Sequence, residues 1–167
     1  MLKAAIVSDT HIPSPRAKSL PGWLVSILEQ SDVILHLGDF NTMEVVRQLE
    51  AFAPIYGVYG NNDDEEVVSY FPERKSIELE GIRIGLIHGH GKSRTTETRA
   101  WDAFASEQPD IIMFGHSHIP LDKIRDGIRL FNPGSPTDKR RQPQYSCGIL
   151  KIDNGQFQLE HIYSKEK

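Results

Sequence analysis

The chain has 167 residues, of which 38% are hydrophobic and 25% are charged, and this balance excludes a disordered or collagen-like chain. The formal net charge of −4 gives no overall attraction to nucleic acid or to an anionic membrane. Cys147 is the only cysteine, which excludes an internal disulfide and a cysteine-rich zinc site. No apolar run approaches the roughly 20 residues of a membrane span. We therefore expect a single cytoplasmic domain over residues 1–167 that does not enter a membrane.

The first 60 residues alternate short apolar runs with helical patterns. Strands are expected at Lys3–Ser8, Asp32–Leu37 and Ile55–Tyr59, because each is apolar and ends abruptly in polar residues or glycine. Between them, Leu20–Gln30 has helical apolar spacing, and Thr42 can cap a second helix. The order β-α-β-α-β predicts a parallel sheet.

The second half of the chain changes character. Ser76–Glu80 and Ile82–Ile87 flank Gly81 like a hairpin, and a helix over Thr95–Glu107 precedes a strand at Asp110–Phe114. Further strands are expected near 121–125, 128–131, 145–152 and 156–163, with turns at Asp126-Gly127, Asn132-Pro133-Gly134 and Asn154-Gly155. This C-terminal part is predicted to be mostly antiparallel. The fold class is therefore α/β, as a two-sheet α-β-β-α sandwich with the helices outside.

Five of the predicted strands end in polar clusters beside glycine. The clusters are Asp9/His11, Asp39, Asn61/Asn62/Asp63, His88/His90 and His116/His118. The carboxyl ends of strands in an α/β sheet converge on one crevice, where ligands bind. Carboxylates, imidazoles and an amide oxygen form a ligand set suited to manganese, iron or zinc.

The number of ligands favours two ions over one. A single catalytic zinc takes three protein ligands and a water, whereas these clusters offer about seven donors. Two ions roughly 3.5–4 Å apart can clamp the attacking and leaving oxygens of a phosphoryl group and lower the pKa of bound water toward 7. The clusters thus predict phosphoester hydrolysis by a metal-bound hydroxide.

The ordered set Asp9-Thr10-His11, Gly38-Asp39, Gly60-Asn61-Asn62-Asp63, His88-Gly89-His90 and Gly115-His116-Ser117-His118 resembles the calcineurin-like metallophosphoesterases, especially their small, capless bacterial and archaeal phosphodiesterase branch. The segment Asn132-Pro133-Gly134-Ser135 is also typical of that branch. The resemblance implies a phosphodiesterase with a small phosphodiester substrate and a metal-bridging hydroxide as nucleophile. It implies two divalent ions, for which we expect manganese, with iron, nickel or zinc as alternatives.

The resemblance also implies roles for individual residues. One ion would be held by Asp9, His11 and His118, the other by Asn61, His88 and His116, and Asp39 would bridge them. His90 would lie beside the site, as a residue that supports the ligands or contacts the phosphate. The implied catalytic residues are therefore Asp39, Asn62 and His90.

Asn62 departs from the family pattern, because many members have histidine there to contact the phosphate and help the leaving group leave. Asparagine can donate a hydrogen bond but cannot deliver a proton, so general-acid help worth about 10² to 10⁴ in rate would be missing or supplied elsewhere. We therefore expect a preference for activated diesters over alkyl monoesters. Asp63 is expected to orient its loop.

Other interpretations stay open. A non-catalytic protein-binding scaffold is the main alternative, because the small retromer subunit resembles this fold, and a nuclease would need a basic groove that the acidic balance disfavours. We expect no nucleic-acid partner, and apolar surface on the outer helices could support a homodimer. His36 is interpreted as structural and His161 as solvent-exposed. The run Lys139-Arg140-Arg141 could contact an anionic substrate, but it is interpreted as a solvated loop. Cys147 lies in an apolar run and is not expected to be a nucleophile.

Overall fold

The structure, a computed structural model that describes residues 1–167, contains ten strands and four α-helices. The strands are β1 (Leu2–Val7), β2 (Val33–His36), β3 (Ile55–Gly57), β4 (Arg74–Leu79), β5 (Ile82–Ile87), β6 (Ile111–Met113), β7 (Leu121–Arg125), β8 (Ile128–Asn132), β9 (Tyr145–Asp153) and β10 (Gln156–Ser164). The helices are α1 (Gly22–Leu28), α2 (Met43–Glu50), α3 (Glu65–Tyr70) and α4 (Thr96–Phe104). A single 3-10 turn, Ala105–Glu107, follows α4.

The first sheet combines the two ends of the chain. Strands β1, β2 and β3 pair in parallel, which confirms the β-α-β-α-β prediction. The hairpin β9–β10 joins them through antiparallel pairing of β9 with β1, so the strand order is β10-β9-β1-β2-β3. Because β1, β2 and β3 run in the same direction, the polar residues that follow them reach one edge of the sheet.

The second sheet has the strand order β4-β5-β6-β8-β7. Its central strands β5, β6 and β8 are parallel, and the outer strands β4 and β7 form antiparallel hairpins with their neighbours. The C-terminal strands are mostly antiparallel, as expected, and the parallel β6–β8 pair is the exception because the β7–β8 hairpin inserts with β8 beside β6. The loops after β5 and β6 therefore open at a common edge.

Successive side chains of a strand point to opposite faces of its sheet, and this alternation separates two apolar layers. In β1, Ala4 and Ile6 belong to the core between the sheets, whereas Ala5 and Val7 belong to the cluster that also contains residues of α1 and α2. On the other side, α4 covers the second sheet through Ala100 and Phe104. These layers confirm the α-β-β-α sandwich.

The sequence analysis did not predict the short helix α3. Its N-cap Asp64 accepts a hydrogen bond from the Val67 amide at 3.0 Å, but Val67 is the only buried residue of the helix, so the apolar period is too weak to recognise. Thr42 does stand at the N-cap of α2, although its hydroxyl donates to the Ile12 carbonyl instead of capping the helix. The longest helix, α4, has nine residues, and no helix is long and apolar enough to cross a bilayer.

Candidate metal centre

The polar clusters of both sheets meet at the edge where the parallel strands end. The first sheet contributes the loops after β1, β2 and β3, and the second contributes the loops after β5 and β6. The side chains brought there are Asp9, His11, Asp39, Asn61, Asn62, His88, His90, His116 and His118.

Several site residues adopt a backbone conformation that side chains rarely occupy. The φ angles are 57° at Asp9, 45° at His11, 61° at Asp39, 69° at His116 and 62° at His118. Such left-handed conformations cost on the order of 1–3 kcal/mol each and persist only where surrounding contacts hold them. The loops hold one another here, because the Asp9 amide donates to the Gly38 carbonyl at 2.9 Å and the His11 amide donates to the Asp39 carbonyl at 3.0 Å.

Two glycines allow the loops to approach the carboxylates. A Cβ at Gly60 would lie 2.7 Å from the Asp39 backbone nitrogen and still closer to the Asp39 carboxylate. A Cβ at Gly115 would lie 2.8 Å from Asp9 Oδ2 and would overlap the Ser8 hydroxyl. Any side chain at these positions would displace the two aspartates.

Three histidines turn Nε2 toward the centre, while their Nδ1 atoms contact oxygen atoms outside it. The Nδ1 atoms lie 3.1 Å from Asn41 Oδ1 for His11, 2.7 Å from the Leu37 carbonyl for His88, and 2.6 Å from the Asp138 carbonyl for His118. Those oxygens can only accept, so Nδ1 carries the proton and Nε2 is left as the inward-facing atom. Histidines that bind metals are oriented in this way.

The inward nitrogens surround the two aspartates. Asp9 Oδ1 lies 3.6 Å from His11 Nε2, 3.4 Å from His118 Nε2 and 3.7 Å from His88 Nε2. Asp39 Oδ2 lies 3.5 Å from His11 Nε2 and 3.3 Å from His88 Nε2, so this carboxylate reaches histidines from both sheets. Five of the predicted ligands are thus assembled around a common centre.

Interactions with the neighbouring histidines keep the carboxylates of Asp9 and Asp39 ionised. Burial alone would raise the pKa of the Asp9 carboxyl, but His88, His11 and His118 hold it well below its usual range. Burial likewise opposes ionisation of Asp39, and His88 overcomes it and lowers the pKa of that carboxyl. Conversely, burial would lower the pKa of His88, yet the charges of Asp9 and Asp39 raise it to about 9. In the absence of an ion, a proton on His88 balances the buried carboxylates.

The remaining predicted ligands lie around this cluster. Asn61 Oδ1 is 3.1 Å from His88 Nε2. The His116 ring stands edge-on to His88 with centroids 5.2 Å apart, but His116 belongs to neither group of carboxylate and imidazole atoms that lie within 4.8 Å of one another. Those groups are Asp9/His11/His118 and Asp9/Asp39/His88.

The two predicted auxiliary residues also lie beside the cluster. Asn62 donates to both oxygens of Asp39, from its backbone amide at 2.8 Å and from its side-chain amide at 2.9 Å. The His90 ring centroid is 5.6 Å from that of His88, and its buried Nδ1 has no hydrogen-bond partner. Burial lowers the pKa of His90.

The donor set fits a cation. Asp9 Oδ1, His11 Nε2 and His118 Nε2 are buried atoms without any hydrogen-bond partner, and they converge. Leaving buried acceptors unsatisfied costs about 1–3 kcal/mol each, and more for charged groups. A cation among them would remove this cost, and the mixed oxygen and nitrogen ligands suit a divalent transition metal.

Some residues that shape the site were missed or only partly foreseen. The Ser135 hydroxyl donates to the Asp9 carbonyl at 2.8 Å, and the Thr137 hydroxyl donates to the Thr10 carbonyl at 2.7 Å. Asn132 donates to the Gly115 carbonyl at 3.1 Å, so the Asn132-Pro133-Gly134-Ser135 segment braces the loops after β1 and β6. Nothing in the sequence marks the backbone carbonyls that orient His88 and His118.

The loop after β3 is braced by Asp63. Its carboxylate accepts hydrogen bonds from the amides of Asp39 at 2.9 Å, Gly60 at 2.7 Å and Asn41 at 2.9 Å. This agrees with its predicted role in orienting the loop. The loop after β5 is held from α4, where the Arg99 guanidinium donates to the carbonyls of Gly89, Ser93 and Arg94 at 2.6–2.8 Å.

The other polar predictions have mixed outcomes. His36 is fully buried, accepts from the Gly38 amide and contacts the Thr10 hydroxyl, so it is structural as expected. Cys147 is fully buried, and burial raises the pKa of its thiol to about 12, which agrees with an inert cysteine. The interpretation of His161 as solvent-exposed is wrong, because the ring is half-buried, stacks on Phe131 and contacts the Asn132 carbonyl at 2.7 Å.

Known proteins resemble this chain along nearly all its length. The sequence model of the calcineurin-like phosphoesterase superfamily domain matches residues 2–155. A probable metallophosphoesterase of Methanothermobacter thermautotrophicus is 32% identical over 157 residues, which cover 94% of this chain and 90% of the relative. Phosphodiesterase YfcE of Escherichia coli is 30% identical, with coverage of 92% and 89%. Vps29 of Chaetomium thermophilum has a TM-score of 0.80 over 100% of both chains at 18% identity, a likeness of fold alone.

Proposed function

The chain belongs to the calcineurin-like phosphoesterase superfamily, and from this membership we propose that it is a dinuclear metal-dependent phosphodiesterase. One observation carries the proposal. Asp9 Oδ1, His11 Nε2 and His118 Nε2 are buried acceptor atoms that lie close together without hydrogen-bond partners, and one cation would satisfy all three. Relatives that share at least 30% of their residues with this chain are named as metallophosphoesterases and a phosphodiesterase, which supports the reaction class.

The proposed ligand set follows the two sheets. Asp9, His11 and His118 hold one ion, Asn61, His88 and His116 hold the other, and Asp39 bridges them. The bridging role of Asp39 is supported by Oδ2, which lies 3.5 Å from His11 Nε2 and 3.3 Å from His88 Nε2. The donor set accepts manganese, iron, nickel or zinc, and manganese is the proposed ion.

When bound, such an ion pair supplies an activated water and neutralises the phosphoryl oxygens. The protein's own contribution is to hold the ligands rigidly. Carbonyl and amide oxygens fix the proton on Nδ1 of His11, His88 and His118, so that no tautomer change is needed before the ring binds. Asn62 holds Asp39 through both carboxylate oxygens, and His90 offers an unpaired ring nitrogen beside the centre for a phosphate oxygen.

A protein-binding scaffold is the second candidate, because Vps29 has the same fold. The fold alone does not separate the two functions. The site favours the enzyme, since a scaffold has no need of five backbone positions in the left-handed region and three unpaired buried acceptors at one edge. Strain of this kind is typical of functional sites.

Hydrolysis of bis(p-nitrophenyl) phosphate and p-nitrophenyl phosphate by metal-stripped protein, before and after addition of Mn²⁺, tests the proposal. We expect activity only with the metal, and faster cleavage of the diester. Activity that needs no metal would contradict the proposal, as would an absence of activity with Mn²⁺, Fe²⁺, Ni²⁺ and Zn²⁺.

A measurement independent of turnover is the melting temperature. A ligand that binds only the folded state raises the stability by about 2.7 kcal/mol at a concentration of 100 times Kd. The melting temperature of the metal-stripped protein should therefore rise with Mn²⁺ concentration. A scaffold without a metal site would show no such rise.

A further inference from the structure

A cleft of about 430 Å³ opens directly beside the proposed metal centre, on the side of His11. Its walls are His11, Ser14, Pro15, Arg16 and Asp138. His11 therefore belongs both to the ion-binding cluster, through Nε2, and to the wall of the cleft. A substrate whose scissile phosphate lies at the metal centre would extend into this space.

Arg16 projects from a tightly closed loop. The Ser14 amide donates to the Ala17 carbonyl at 2.8 Å, and the Ser14 hydroxyl accepts from the amides of Arg16 and Ala17 at 3.2 Å. The Arg16 guanidinium itself makes no hydrogen bond and no ion pair, although 23 acidic residues are present in the chain. The backbone is thus fixed and the cation is free.

Asp138, the one acid in the wall, is directed elsewhere. Its Oδ2 lies 4.0 Å from His118 Nδ1, and its Oδ1 accepts from the Arg140 amide at 3.3 Å. The Asp138 carboxylate forms no ion pair with Arg16 within 4.0 Å, so the charge of the guanidinium stays unpaired.

Two more cations, Lys139 and Lys167, lie near the ring of Tyr145. The ammonium groups of Lys139 and Lys167 lie 5.7 Å and 5.6 Å from the centroid of the Tyr145 ring. The Lys167 ammonium also donates to the Arg16 carbonyl, which places it next to the loop that bears Arg16. Neither lysine is paired with a carboxylate within 4.0 Å. A protein of net charge −4 thus has one unpaired cation, Arg16, in the wall of the cleft, a second, Lys167, at the backbone of the same loop, and a third, Lys139, next in sequence to the wall residue Asp138.

We propose that this cleft binds a second phosphate of the substrate, with Arg16 as the main contact and Lys139 and Lys167 as supporting charges. The inference rests on the proposed phosphodiesterase function and narrows its substrate class to phosphodiesters that carry a further phosphate, such as a nucleoside with a phosphodiester on one hydroxyl and a phosphate on another. Guanidinium grips phosphate oxygens through a planar fork of donors. A phosphate dianion, rather than a singly charged carboxylate, matches a group of three cations.

A matched pair of chromogenic esters tests this. Thymidine 5′-(p-nitrophenyl phosphate) and its 3′-phosphorylated form have the same diester and leaving group and differ only by the second phosphate. A hydrogen bond to a charged group strengthens an interaction about tenfold or more, so we expect wild-type kcat/KM to be higher by that factor for the 3′-phosphorylated ester. Arg16→Gln should bring the ratio of the two values close to one, and added salt should lower it.

The control is Arg125→Gln, which removes an exposed cation near the hairpin turn at the opposite edge of the second sheet and should keep the wild-type ratio. A wild-type ratio of one, or an unchanged ratio in Arg16→Gln, would overturn the proposal.

A measurement of nucleotide binding tests the proposal without requiring hydrolysis. By calorimetry on Mn²⁺-loaded and metal-stripped protein, thymidine 3′,5′-bisphosphate should bind about tenfold more tightly than thymidine 5′-monophosphate, and Arg16→Gln should abolish the difference. If neither ester is hydrolysed, the phosphodiesterase function fails, and the binding preference still decides on the cleft. Equal affinities of the two nucleotides in the wild type would refute the second phosphate site even in an active enzyme.

Discussion

The two edges of the sandwich both use left-handed backbone, but for different reasons. At the edge opposite the metal centre, the hairpin turns Glu80-Gly81, Asp126-Gly127 and Asn154-Gly155 each have two residues with positive φ, and a Cβ at any of the three glycines would meet nothing within 4 Å. Such turns follow from local sequence, because Gly and Asn adopt this conformation at low cost. At the edge of the candidate metal centre, positive φ falls on aspartate, histidine and Asn41 as well as on glycine, and glycines such as Gly38 and Gly60 are closely packed.

The difference shows which part of the structure depends on the whole molecule. A hairpin turn needs only its own residues. The metal edge needs hydrogen bonds between loops that are far apart in sequence, such as that from the His116 amide to Asp9 Oδ2 at 3.0 Å. Substitutions at the two edges should therefore have unequal effects on metal binding, even where their effects on folding are similar.

The largest effect is expected from Asp39→Ala. Loss of a bridging carboxylate removes a contribution of several kcal/mol to stabilisation of the transition state, so diesterase activity should fall by about 10³-fold or more. Most of the rise in melting temperature with Mn²⁺ should also disappear. Asp102→Ala, which removes an exposed carboxylate paired with Arg94, is the matched control and should keep both. Retention of the full metal-induced shift in Asp39→Ala would exclude the bridging role.

The variants Gly60→Ala and Gly127→Ala allow a direct comparison of the two edges in stability and in response to Mn²⁺. The Gly60 substitution forces a Cβ against Asp39 and should cost about 1–3 kcal/mol in stability together with most of the Mn²⁺ response. Gly127 has φ of 79° and open space, so alanine there should cost about 1 kcal/mol through backbone strain and leave the Mn²⁺ response intact. Thermal melts with and without Mn²⁺ measure both quantities. Equal Mn²⁺ responses in the two variants would contradict the proposed difference between the edges.

The pH dependence of the metal-stripped protein sharpens the comparison further. The pKa of His88 is raised to about 9 in the folded state, from a usual value of about 6.5, so its contribution to stability is complete below pH 6.5 and is lost as pH rises through 9. His11, whose pKa is also raised, acts in the same direction. The melting temperature without metal should therefore fall between pH 6.5 and 9.

Metal binding should respond in the opposite sense. An ion must displace the proton from His88, so the rise in melting temperature caused by Mn²⁺ should grow over the same pH range. His88→Gln should flatten the dependence seen without metal, whereas His161→Gln, which alters a histidine outside the centre whose pKa is lowered, should leave it unchanged. If the dependence of the metal-free melting temperature on pH were unchanged in His88→Gln, groups other than His88 would control it.

The smallest effect is expected from Asn62→His, which is measured as the ratio of monoester to diester hydrolysis. A histidine at this position can deliver a proton to a poor leaving group, so the relative monoesterase activity should rise. Asn62→Gln would keep a side-chain amide without adding a group that can deliver a proton, and it serves as the comparison. No change in the ratio would count against any contact of position 62 with the leaving group.

Much of this arrangement could be predicted because the candidate ligands are side chains at strand ends. The apolar runs before Asp9, Asp39 and His88 marked the strands, and parallel direction brought their ends together. What could not be predicted depends on backbone atoms or on weak patterns. The carbonyls of Leu37 and Asp138 that orient two histidines carry no residue-specific signal. Likewise, His161 becomes half-buried only through its tertiary contacts with β8.

The contacts of Ser135 and Thr137 with the backbone of Asp9 and Thr10 span 126 to 128 residues. During translation, the amino-terminal strands therefore leave the ribosome long before the segment that braces them exists. A nascent polypeptide of 100 residues would lack both His116 and His118, and with them the complete set of donors. With the proposed ligands, cation binding would therefore follow synthesis of at least the first 118 residues, which makes it a late step in the maturation of this protein.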